Sequence, residues 1–351
     1  MTAQIAAMDA SPAPAVEVHR ALALGRRRRI ITVAALAAGV VAVAVLSLSL
    51  GTIPISPLRL PAVLTGHGDP LENLAVLTLR LPRWTTGALV GIALGLAGTL
   101  FQTTLRNPLA SPDILGVSGG ASLAAVTAML VFHATGAGVP LAALAGGAVA
   151  AAAIGVLSWR EGFAGQRFVL VGIALAFLAS GGLSYLITRA DVRAAQQALA
   201  WTVGSVSDPN WGETGMLAIA LVVLVPLALW LAVPLRVLAL GDDAARGLGV
   251  RPVGTTIAAT AVGVALASVA TAVAGPVAFV AFVSAPIARR MVGAGGLQPA
   301  ASALTGAALV TAADFVAARL GDFQAPVGLV TGAVGAPYLL WLLTRKDGAA
   351  A

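Results

Sequence analysis

Residues able to do covalent chemistry are sparse in this chain, and their spacing argues against catalysis. The three histidines, His19, His67 and His133, fall far apart. Cysteine is absent, so no thiolate nucleophile, disulfide or thiolate metal site exists, and the redox compartment goes unmarked. Gly116-Val117-Ser118-Gly119 has the local form of a nucleophilic serine motif used inside membranes, but such a serine needs a histidine base at the same depth. None is placed to serve, so Ser118 reads as a small packing or helix-start residue. No Gly-x-x-x-x-Gly-Lys-[Ser/Thr] occurs, and the sole lysine is Lys346 near the C-terminus. The group that grips nucleotide phosphates is missing, and the chain does not hydrolyse ATP by itself.

Ion-coupling acids are equally scarce. Asp314 is the one acidic residue inside a candidate span, close to its outer end. A charge at the centre of a span costs about 2.5–3.5 kcal/mol on insertion scales. An acidic proton relay is therefore disfavoured, and Asp314 reads as a structural acid that caps or pairs near Arg319. The small polar residues Ser180 and Ser184, beside Gly181-Gly182, mark one span as pathway-lining, with tight packing as the competing explanation.

The elements that carry these residues are set by composition. The sequence is 59% apolar and only 10% charged, with a mean hydropathy of +0.95, unlike a soluble domain of about 25% charged residues. Apolar runs near the roughly 20 residues that cross a hydrocarbon core recur along the chain. They predict an all-α, polytopic membrane protein with ten spans at about 30–50, 84–105, 116–133, 140–159, 168–187, 214–233, 254–273, 275–288, 299–318 and 327–344. The eighth run is short and opens on Gly275-Pro276, which suggests a broken helix held inside protein. Residues 1–25, Ala/Pro-rich and polar, are expected to be a disordered cytoplasmic tail before a single permease domain over 26–346. The first apolar stretch is too long for a cleaved signal and reads as a retained helix.

Charge gives the orientation. The net charge is +7, yet the cations sit singly at span ends and form no basic face for nucleic acid. With the N-terminus inside, Arg20, Arg26 to Arg29, Arg106, Arg160, Arg167, Arg236, Arg246, Arg251, Arg289, Arg290, Arg345 and Lys346 are cytoplasmic. Arg59, Arg80, Arg83, Arg189, Arg193 and Arg319 are then outside. Fifteen against six predicts both termini inside, as an even number of spans requires. Two long loops follow, residues 188–213 outside and 235–253 inside. Gly91-x-x-x-Gly95 predicts close helix packing in lipid. A weak echo links Gly98–Gly116 with Ala267–Gly293, each a span end joined to an irregular Pro-containing stretch, a pattern that points to a transport pathway.

The motifs around these elements form an ordered series. Arg80-Leu81-Pro82-Arg83 is followed by Gly91, Gly98 and Gln102. Asn107-Pro108-Leu109-Ala110-Ser111-Pro112-Asp113-Ile114-Leu115-Gly116 comes next, then Ser118-Gly119-Gly120-Ala121-Ser122. Further on come Trp201-Thr202-Val203-Gly204-Ser205, Gly241-Asp242-Asp243-Ala244-Ala245-Arg246-Gly247-Leu248-Gly249, Gly275-Pro276-Val277-Ala278-Phe279-Val280 with Ile287-Ala288-Arg289, Ala313-Asp314-Phe315, and Pro326-Val327-Gly328. This series resembles the FecCD family of importer permeases, over roughly residues 30–345.

The resemblance implies a cobalamin-importer-permease-like fold in the inner (cytoplasmic) membrane. It implies a permease subunit of an ATP-binding-cassette importer that carries a ferric-siderophore-type chelate, with haem or cobalamin as alternative cargo and a secondary transporter as the rival class. The implied partners are a second permease subunit, two ATPase subunits that bind ATP and Mg, an extracytoplasmic binding protein and lipid; this chain itself would bind no cofactor. Gly241, Asp242, Asp243, Ala244, Ala245, Arg246, Leu248 and Gly249 match the family's ATPase-coupling segment. Asp242 and Asp243 would also favour a short helix there through its positive N-terminal end. Arg80, Arg83 and Arg319 match positions that face the binding protein. Gln102, Asn107, Pro108, Gly116 and Pro286 belong to the pathway and structural motifs. Two departures stand out: Ala285-Pro286 replaces the usual Pro-His, and Gln324-Ala325-Pro326 replaces Glu-Leu-Pro. The lost histidine fits one half of a heterodimer.

Overall fold

Backbone groups in hydrocarbon have to be satisfied within the chain, so an element that spans must be a helix or part of a closed barrel. Every regular element among the described residues of the computed structural model is helical. It describes residues 14–158, 166–208, 210–293, 296–320 and 325–344. Expectations resting on residues 1–13, Arg160, Gln324, Arg345 and Lys346 lie outside the described residues.

In chain order the elements are α1 (Pro14–Ser49), α2 (Leu60–Leu64), α3 (Pro70–Asn73), a π-helical stretch (Leu74–Arg80), α4 (Leu81–Thr104), α5 (Val117–Leu130), α6 (Gly138–Ser158) and α7 (Gln166–Arg189). Then come α8 (Val192–Val203), α9 (Trp211–Leu238), α10 (Asp242–Gly247), α11 (Pro252–Ala274), α12 (Val280–Val292), α13 (Pro299–Ala317) and α14 (Val327–Thr344). The disordered tail expected through residue 25 is corrected for residues 14–25, which open α1.

Each of the ten expected spans overlaps a helix, and among the described residues seven helical stretches are long and apolar enough to cross a membrane. The other three are α5, α12 and α14. The short α12 has a local cause. Gly275 leaves α11 at φ 67°, residues 275–279 are not helical, and Phe279 enters α12 at φ 66°. The loop over residues 188–213 also holds more regular structure than its polarity suggests. It contains α8, whose first turn is capped by Asp191 accepting from the backbone of Arg193 and Ala194, a standard helix start.

At the centre α4 packs against α13, α11, α12 and α9. Val90, Leu94, Leu100, Leu231, Leu266 and Val310 fill the shared core. Gly91 and Gly306 lie backbone to backbone: a methyl on either would strike the other's carbonyl oxygen. Hydrophobic attraction cannot draw helices together in lipid, so this close approach supplies the contact area. Just before α4, the π-helical turn disturbs the regular ladder, and the Leu77 carbonyl accepts a 2.9 Å hydrogen bond from Trp211 Nε1 on α9.

Candidate functional site

The singled-out residues gather at two ends of the bundle and at the break between α11 and α12. At the end carrying Arg80, α1 finishes beside α4 and α13. Arg80 donates to the carbonyls of Leu48 and Ile53, both at 2.7 Å. Arg319 donates to Phe315 and Leu50 at 2.8 and 3.0 Å and lies over the Phe315 ring at 3.6 Å. Arg83 grips Asp314: Nε reaches both carboxylate oxygens at 3.1 and 2.9 Å, and Nη2 reaches Oδ1 at 2.8 Å. The four charged residues line one cavity of about 340 Å³. Asp314 is thus a structural acid that pairs near Arg319, as expected, and its direct partner is Arg83. The reason is geometric: Arg319 turns to the end of α1, while the close packing of α4 on α13 brings Arg83 across.

The break between α11 and α12 joins three motifs that are distant in sequence. Ser205 N donates to Ala274 O at 2.7 Å and Gly328 N to Gly204 O at 3.1 Å, so the end of α8 and the start of α14 close on the break. The two echoing segments also meet here. A methyl on Gly98 would overlap the Ala281 carbonyl, and Gln102 Nε2 donates to Phe282 O at 2.8 Å while its Oε1 accepts from Arg289 at 2.9 Å. Pro286 explains this arrangement. Proline has no N–H, so the carbonyl four residues earlier, that of Phe282, loses its helical donor and Gln102 supplies one. Ser180 and Ser184 lie on the exposed face of α7, away from this junction.

The loop after α4 turns sharply. Asn107 Oδ1 accepts from Leu109 N at 2.9 Å, Pro108 is exposed, and Gly116 starts α5 at φ 76°. Ser118 does stand in the first turn of α5, and it also has a partner, donating to Asp113 Oδ1 at 2.6 Å. Asp113 is partly exposed as a residue, but its Oδ2 is shut off from solvent with no partner among the described residues. Burial pushes its carboxyl above the usual range, and the Ser118 hydrogen bond opposes that rise.

Beyond this loop, α10 rests on a single buried residue, Ala245, which is fully shielded. Asp242, Asp243, Ala244, Arg246, Leu248 and Gly249 are exposed and Gly241 partly so. The short helix that the two aspartates were expected to favour is present, with both of them at its positive N-terminal end. Both occupy the first turn, but no side chain caps it; Asp242 pairs with Arg106 at 2.8 Å and Asp243 with Arg246 at 2.6 Å. Neither Arg106 nor Arg289 was assigned a role from sequence. Arg289 stands in a quoted motif, whereas nothing in residue type marks Arg106.

Known proteins agree with this architecture. The chain is 39% identical to the achromobactin transport system permease protein CbrC of Dickeya dadantii, covering 88% of this chain and 89% of the relative. It is 34% identical to the ferric enterobactin transport system permease protein FepG of Escherichia coli, covering 92% and 98%. Among solved structures, a metal-chelate type ABC transporter in an inward-facing conformation superposes with a TM-score of 0.79 at 25% identity, covering 89% of this chain and 98% of that one. The profile of the FecCD transport family matches residues 39–345. A match over that length, on a bundle whose motif residues bond to one another, makes this multi-pass membrane chain a member of the FecCD transport family.

Proposed function

We propose that the chain is the membrane-spanning permease subunit of an ATP-binding-cassette importer for ferric-siderophore-type chelates. One observation carries the reading: the family match is continuous from residue 39 to 345, and the two relatives above are permeases named for achromobactin and ferric enterobactin transport. The chain is a transporter subunit, and separate ATPase subunits with ATP and Mg drive it. Among the described residues no three His, Asp or Glu side chains converge as a metal site, which suits cargo carried inside its own organic chelator.

The proposed assembly places this chain in the cytoplasmic membrane beside a second, different permease subunit. An external binding protein docks over the Arg80, Arg83 and Arg319 end, and α10 faces the ATPase. Arg83 is already neutralised by Asp314, so the positive charge offered for docking comes from Arg80 and the more exposed Arg319. Guanidinium groups suit acidic partners. The exposed residues of α10, with Ala245 as its foot, present a compact knob on a rigid base.

The experiment is reconstitution of this chain with its second permease, ATPase and binding protein, followed by uptake of iron-55 as citrate, trihydroxamate and tricatecholate chelates, with haem and labelled cobalamin in parallel. The reading expects ATP-dependent uptake of at least one iron-55 chelate. Uptake of haem or cobalamin alone assigns the cargo differently, and uptake independent of the ATPase overturns the importer reading.

A further inference from the structure

Arg106 sits where glycine is expected. It ends α4 in a reversing turn in which its own N–H bonds to Thr103 O at 3.2 Å and the N–H of Asn107 reaches back to Gln102 O at 3.1 Å. This pattern of helix termination puts its first residue beyond the cap in the left-handed region, a place that glycine takes at least strain. Arg106 adopts it at φ 48°. A Cβ-bearing residue held there is strained, and such strain directs attention to what the side chain does.

The side chain leaves its own loop. Nη2 donates to Leu238 O at 3.2 Å and to Asp242 Oδ1 at 2.8 Å. Leu238 is the last residue of α9 and Asp242 the first of α10, so one guanidinium bridges the turn that carries α10. The same terminating turn of α4 contains Gln102, whose side chain holds Phe282 O and Arg289 on α12. A single helix end thus touches α10 through Arg106 and the broken-helix junction through Gln102. Exposed ion pairs add little stability; what this one fixes is the position of α10 relative to α4.

We infer that Arg106 is a positioning residue that transmits displacement of α10 into the end of α4 and from there to α12. The inference rests on the proposal that α10 is the ATPase contact. When α10 moves as the ATPase subunits close, Arg106 carries that displacement to the end of α4, and Gln102 passes it to α12 through Phe282 O and Arg289.

Glycine at position 106 separates this role from a structural one, because it relieves the strained backbone while removing the link. The Arg106→Gly complex should retain its ATPase at wild-type stoichiometry and melt no lower than wild type. The ATP hydrolysed per iron-55 delivered, measured with a chelate that the wild-type complex transports, should rise at least about five-fold, the low end of ordinary coupling effects. Arg106→Lys should restore the ratio to near wild type. Arg106→Asn, which also tolerates the left-handed turn but cannot reach α10, should repeat the glycine result and serves if the glycine protein folds poorly. A wild-type ratio in the Gly and Asn variants overturns the inference. So does loss of ATPase from them, which would make Arg106 part of the docking contact. A wild-type permease that retains no ATPase refutes the functional reading first, and this one with it.

Discussion

Arg83 and Asp314 lie 231 positions apart in the chain yet form a forked ion pair with three contacts between 2.8 and 3.1 Å. Their side chains keep only 17% and 13% of their exposure. The pair fastens α4 to α13 at one end of the bundle, continuing the contact that Gly91 and Gly306 make deeper in. A residue matched by motif to partner docking is therefore engaged within its own chain. The proposed docking surface is built on this pair.

Removing one partner of this pair strands the other charge in a poorly solvated site. Arg83→Ala should destabilise the permease by about 3 kcal/mol, at the low end for breaking a buried pair. Arg83→Ala with Asp314→Ala should recover much of that loss, because no lone charge remains. Thermal unfolding of the detergent-solubilised permease followed by tryptophan fluorescence reads both. Equal instability in the single and double variants would show that the pair is not what α4 and α13 share.

Gln102 is matched to the carbonyl that Pro286 leaves without a donor. Gln102→Ala should cost about 1–3 kcal/mol, the range for an unsatisfied buried polar group. Adding Pro286→Ala restores a backbone N–H to Phe282 O and should return part of the loss. The same melting experiment decides; a double variant weaker than the sum of the two single losses contradicts the match.

Close approach makes a second contrast. Gly98→Ala drives a methyl into the Ala281 carbonyl and should cost about 3 kcal/mol or more, the upper range of overpacking. Gly181→Ala on α7 meets nothing within 4 Å and should be neutral or stabilising by up to about 1 kcal/mol through helix propensity. Melting temperatures that move alike in the two variants would remove the steric argument.

On α10, buried and exposed positions should fail in different ways. Ala245→Arg unseats the helix and should lower both permease stability and ATPase retention. Leu248 is 63% exposed, so Leu248→Asp should leave melting unchanged while cutting ATPase retention about ten-fold, a loss near 1.4 kcal/mol. Undiminished retention with Leu248→Asp would move the ATPase contact off this helix.

Sidedness is testable in a chain that has no cysteine of its own. His67→Cys, in an exposed loop position, should react with an impermeant maleimide in intact spheroplasts. Gly247→Cys at the end of α10 should react only after permeabilisation. The reverse pattern inverts the positive-inside assignment.

The spans could be read from sequence because hydrocarbon thickness sets a length that composition displays directly. Gly91-x-x-x-Gly95 gave away the close α4–α13 contact for a similar reason, since small residues four apart make one flat stripe. What escaped were relationships between distant side chains. Asp314 had Arg319 nearby in sequence, and only three-dimensional packing favours Arg83. Arg106 carries no turn signal, because its left-handed backbone is the geometry that glycine or asparagine would have announced. Asp191 was a legible helix start, but a polar loop outside the apolar runs gave no reason to look for α8. Pro286 was noticed as a departure from a motif, whereas its effect appears only once Gln102 stands opposite the freed carbonyl.

The π-helical stretch Leu74–Arg80 also sets the phase of everything joined to it. An α-helix advances by about 100° per residue, and a widened turn holds its extra residue without the rotation a regular turn would impose. Arg80, at its final position, thereby faces the last residues of α1, while Arg83 faces α13. Deleting one residue from the stretch would swing the preceding helical cap by roughly a quarter of a revolution. Arg80 and the Leu77 carbonyl could no longer meet α1 and Trp211 together. The widened turn behaves as a vernier between the preceding helical cap and the bundle, and length changes near the Arg80-Leu81-Pro82-Arg83 sequence should be tolerated only in the loop before Pro70.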